Sequence, residues 1–150
     1  MKKILFSAAV AIALIACNGH EESPQIQEAV SIHENMRATY VELDSIMQVR
    51  HQQYLVFTEM VSQSGDTATQ GALDNARDII LKLRGDLKDW NDELVEVPGH
   101  CFHKEGEAHS HDHAEEQRLA GMTDDQILEI QKELKTKLDA IEKQVRLLEQ

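Results

Sequence analysis

Cysteine is scarce in this 150-residue chain, with only Cys17 and Cys101 available. A disulfide-stapled scaffold is therefore excluded, and stability must come from a packed core. Proline is just as rare: Pro24 and Pro98 are the only two, and the long apolar periodicities lie between or after them. The seven glycines never gather into a phosphate-cradling loop, and no stretch alternates apolar and polar residues as a strand would. Aromatics make up 4% of the chain and include a single tryptophan, so a core would be mostly leucine and isoleucine. Basic residues are few, 15 against 27 acidic ones. That balance repels nucleic acid and anionic headgroups and attracts cations. Nor is there a long hydrophobic run. The Ile4–Ile15 segment has 12 residues, short of the ~20 a membrane-spanning helix needs.

What is present begins with an address. Lys2 and Lys3, the apolar run, and a small residue before Cys17 predict a secretory signal. Leu14-Ile15-Ala16-Cys17 resembles the lipobox of bacterial lipoproteins, in which the signal is cut before the cysteine and that cysteine carries the lipid. The resemblance implies a signal peptide over 1–16, lipidation at Cys17, and a tether over 17–23. Several acyl chains on one residue would anchor the protein stably in a membrane. Loss of Lys2 and Lys3 leaves 13 basic against 27 acidic residues, a net charge of −14. Cys101 is then the only free thiol, a metal ligand, a bridge to another chain or a buried group. Glu21 and Glu22 resemble the acidic surface-export signals of Bacteroidota lipoproteins. The expected location is the Gram-negative cell envelope, on the periplasmic or surface face of the outer membrane.

Residues 24–150 carry three helical periodicities. Ser23-Pro24 is an N-cap followed by proline at the first helical position. The first stripe runs Ile32, Met36, Tyr40, Leu43, Met47, Tyr54, Phe57 and Val61, and Gly65 fits a C-terminal cap. A second helix begins near Asp66 or Thr67, where Thr67 and Gln70 match a capping box. Its seam is the most regular in the chain: Leu73, Ala76, Ile80, Leu83, Leu87, Trp90, Leu94 and Val97, stopped by Pro98-Gly99. The third begins at a Thr123/Gln126 capping box with a Met122–Ile127 staple. Its stripe comprises Ile127, Ile130, Leu134, Leu138, Ile141, Val145 and Leu148. Three one-striped helices bury those stripes only against one another. The expected fold is all-α, an antiparallel three-helix bundle resembling a coiled coil, with a His-rich loop over 98–121. The first pattern is much the longest, so part of it should overhang, bend or pair with a second molecule.

The chain resembles a group of small α-helical Bacteroidota lipoproteins of unknown function, often labelled "viral A-type inclusion protein". The likeness rests on Ile32-His33-Glu34-Asn35-Met36, Asp89-Trp90 and Met122-Thr123-Asp124-Asp125. It implies a lipid-anchored helical hairpin or bundle and supplies no activity.

The concentrated chemistry lies in 100–116, HCFHKEGEAHSHDHAEE, which holds five of the eight histidines. His109, His111 and His113 alternate, so an extended backbone aims all three one way; in a helix, His109 and His113 would share a face. His100, Cys101 and His103 form a second group, and five carboxylates add charge. Such donors suit zinc, copper or nickel. The plainer alternative is a solvated acidic linker that binds metal adventitiously, and a pH-sensitive loop is a third. In the first helix, His33 with Met36 and Met47 with His51 offer copper(I)-type donors, against a plainer role as core and stripe-edge residues. Trp90, on an unbroken seam, reads as core rather than as a groove marker. His33-Glu34 lacks the second histidine of a zinc-protease motif, and Cys101 between His100 and His103 has no oxyanion hole or pocket in prospect. No enzymatic activity is expected. Two functions stand: metal capture by the loop as a buffer, sensor or delivery accessory, or a structural envelope lipoprotein whose helical surface binds a protein partner.

Overall fold

The computed structural model describes residues 22–100, 118–119 and 121–149. Among them lie three α-helices and no strand: α1 (Pro24–Ser64), α2 (Thr67–Asp92) and α3 (Asp124–Leu147). Cys17 and the segment 101–117 lie outside the described residues.

Local signals start and stop these helices. Ser23 Oγ accepts a hydrogen bond from Ile26 N at 3.2 Å, and Pro24 opens α1. Gly65 closes it at φ 70°, a left-handed conformation that only glycine adopts cheaply. At α3 both halves of the capping box form: Thr123 Oγ1 accepts from Gln126 N at 3.3 Å, and Gln126 Oε1 accepts from Thr123 N at 2.9 Å. Met122 packs on the cluster that holds Ile127.

The second helix begins where the sequence reading places it and departs from that reading in its cap and at its far end. Its cap is Asp66 rather than Thr67, since Asp66 Oδ1 accepts from Thr69 N at 3.2 Å and Asp66 O from Gln70 N at 3.2 Å. It also ends at Asp92, before Leu94 and Val97. Residues 94–97 continue without helical structure, yet Val97 is buried. Pro98 disfavours a helical residue before it, and the non-helical backbone frees the Val95 carbonyl to accept from Gln131 Nε2 at 2.8 Å.

Side-chain pairs fix the directions. Lys132 meets Glu28 at 3.0 Å and Arg146 meets Glu42 at 2.6 Å, so α3 runs parallel to α1. Trp90 stacks on Tyr40 while Arg84 meets His51, so α2 runs against α1. Trp90 Nε1 donates to Leu134 O at 2.9 Å, and Lys137 pairs with Glu93 at 2.7 Å. Trp90 is therefore core, tied by stacking to one helix and by a hydrogen bond to another. Burial beside it raises the Tyr40 phenol above its ordinary pKa, with Asp44 and Asp92 adding to the effect.

One buried cluster joins Met36, Leu43 and Met47 to Leu83, Leu87 and Trp90 of α2 and to Leu134, Leu138 and Val145 of α3. A second, where α1 and α3 begin, joins Ala29, Val97, Leu119, Ile127 and Leu128. Leu119 thus belongs to the core, although the sequence reading assigned it to the loop. This end is the base of the molecule, and the Gly65 turn is its tip.

The three helices differ in reach. α1 has 41 residues and α3 has 24, about 61 and 36 Å of helix. With Arg146 at Glu42 and Val145 in the cluster of Met47, α3 ends level with the middle of α1. Beyond that point α1 and α2 continue as a two-helix arm. Phe57, expected in the core stripe, is 53% exposed, because no third helix among the described residues reaches it.

Candidate functional site

At the base, His100 Nε2 lies 3.0 Å from Glu22 Oε1, a contact between residues 78 positions apart in sequence. The turn at Pro98-Gly99 delivers His100 there. His100 N donates to Val97 O at 3.0 Å, and Gly99 takes φ 82°. The side chains of Glu22 and His100 remain 49% and 25% exposed, so both are open to an ion from solution. Of the predicted metal ligands only His100 is described; Cys101, His103, His109, His111 and His113 lie outside the described residues, as does Cys17. Among the described residues no group of three or more His, Cys, Asp or Glu is arranged to hold a metal ion.

A second polar cluster has an internal centre. His33 and Gln131 are both 0% exposed. His33 Nδ1 lies 3.2 Å from Gln131 Oε1, and Gln131 Nε2 donates to Val95 O. That donation fixes the amide, so Oε1 faces the imidazole and Nδ1 is the donor. On its other edge, His33 Nε2 is 3.3 Å from Glu96 Oε2, a contact that a proton on Nε2 makes attractive. Arg37 approaches the other Glu96 oxygen at 3.8 Å. The cluster ties α1, the non-helical segment after α2, and α3 together at one level. Sequence reasoning missed Glu96 and Gln131. The available signal was that Gln131 sits four residues after Ile127 and three before Leu134, on the seam itself.

Each member of the copper-type pairs of the first helix is engaged elsewhere in the structure. Met36 and Met47 are 2% and 0% exposed and serve the core, so their thioethers face apolar neighbours. His33 is engaged by Gln131 and Glu96, and His51 Nδ1 meets the Arg84 guanidinium. Around that contact lies a shallow groove lined by Gln48, Val49, Gln52 and Gln53. Among the described residues no helix is long and apolar enough to cross a membrane. No family model, curated protein or solved structure matches the chain.

Proposed function

We propose that this chain is an exported, lipid-anchored protein of the bacterial envelope that captures a divalent transition metal in its acidic His-rich connector. The full architecture of this reading is an antiparallel three-helix bundle resembling a coiled coil, with the connector joining the second and third helices. The observation that carries it is the approach of His100 to Glu22. A first imidazole and a carboxylate stand together at the mouth of a segment holding four more histidines and Cys101. Zinc, copper or nickel would take its ligands from His100, Cys101, His103, His109, His111 and His113, with Glu22 as an added oxygen donor.

The same contact relates the metal site to the anchor. Five residue steps lead from Cys17 to Glu22, at most about 17 Å of extended chain. With Cys17 lipidated, capture takes place within that distance of the membrane surface. The protein acts by binding, as a buffer, sensor or delivery accessory, with no catalytic step. The resemblance to small helical Bacteroidota lipoproteins supports the address and the helical scaffold.

Calorimetric titration of residues 18–150 with zinc, copper and nickel tests this reading beside a variant lacking 100–116. Stoichiometric binding at micromolar affinity or tighter, lost in the deletion while the helical circular dichroism persists, is the expected result. Weak, unsaturated binding in both proteins overturns it.

A further inference from the structure

The arm carries an apolar face that the other described residues leave open. Glu42 and Ile46 lie on the side of α1 that α3 covers, since Glu42 pairs with Arg146 and Ile46 packs on the shared core. Steps of four and three residues carry that face onward through Arg50, Gln53, Phe57 and Met60. On α2 the matching face starts at Trp90, which bonds to α3, and continues through Asp86 to Ile79 and Ala72. Phe57 is 53%, Met60 61% and Ile79 49% exposed along this track, with Val49 and Val56 exposed at its rim. The arm therefore continues the groove in which α3 lies, without a helix to fill it.

We propose that a second copy of this chain fills it, the two arms packing antiparallel about a twofold axis into a short four-helix segment. Three observations point to that occupant. The first is reach. The residues on either side of 101–117 lie at the base, His100 against Glu22 and Leu119 in the cluster of Ala29 and Val97. Looped out and back, its 17 residues extend about 30 Å, whereas Phe57 lies 28 helical residues from Ala29, about 42 Å away.

The second is charge. The chain carries −12 overall, yet residues 49–64 hold one arginine and one glutamate. Self-repulsion between two copies is therefore least along this stretch of α1. Antiparallel pairing sends the acidic bodies to opposite ends and sets each Arg50 beside the partner's tip turn, where Asp66 is negative. The third is size and shape. The exposed apolar side chains offer on the order of 500 Å² per copy, so two copies reach the roughly 1,000 Å² floor of a specific interface. The ledge beyond α3 is as long as the arm that would occupy it, about 25 Å on each copy.

Sedimentation equilibrium on residues 18–150, which contain every described helix, tests the proposal with reductant and chelator present. These conditions remove Cys101 bridges and bound metal, so the outcome is independent of metal capture. Twice the monomer mass at high micromolar concentration is expected for the natural sequence. Phe57→Glu with Met60→Glu should return the monomer mass with unchanged helical circular dichroism, because both side chains are exposed in the single chain. Val41→Glu, exposed outside this track, should leave the dimer intact. A monomeric natural sequence, or a dimer indifferent to the Phe57 and Met60 changes, overturns the proposal.

Discussion

At the scale of single residues, the decisive feature is a polar cluster buried where an apolar seam would be expected. His33, Gln131 and Glu96 come from three separate parts of the chain, with His33 hydrogen-bonded to Gln131 and 3.3 Å from Glu96. Truncating one leaves its partners buried without their bonds, which costs more than the bonds contribute. Gln131→Ala should lower stability by about 1–3 kcal/mol in urea unfolding, since both His33 Nδ1 and Val95 O lose their partner. An unchanged midpoint would show that the cluster is incidental. Only the seam position of Gln131 hinted at this in advance. His33 reads as a stripe-edge histidine because periodicity ranks positions by apolarity, and a buried imidazole with two partners breaks that ranking. Trp90 was legible, since its seam position and its need for an N–H acceptor agree with its place against Leu134.

At the scale of elements, capping residues were the most readable feature. Ser23, Gly65 and Thr123 act where their side chains or backbone preferences say they should. Thr123→Ala should cost about 1 kcal/mol and speed amide exchange in the first turn of α3. Exchange and stability equal to the natural sequence would contradict the cap. The second helix was read too long for a physical reason. Leu94 and Val97 fall on the heptad spacing, and they do pack inward, but from non-helical backbone. Burial alone does not distinguish the two conformations; the proline after Val97 does. Asp66 against Thr67 was a choice between adjacent cap formers, settled by which carbonyl and carboxylate face the first turn.

At the scale of the whole molecule, unequal helix lengths divide the chain into two poles. The base gathers the starts of α1 and α3, the His100–Glu22 contact and the second core cluster; the arm extends beyond α3 with an uncovered apolar track. The sequence announced the overhang through the length of its first periodicity. It left open which helix would accompany α1, because that depends on where α3 stops. The candidate metal site was legible as a density of donors, and the addition of Glu22 came only from folding. The most direct test of metal capture is zinc K-edge X-ray absorption on residues 18–150 loaded with one zinc ion per chain. The account predicts a first shell at about 2.0–2.1 Å with the multiple-scattering signature of imidazole. A shell of oxygen alone, without imidazole scattering, would contradict it.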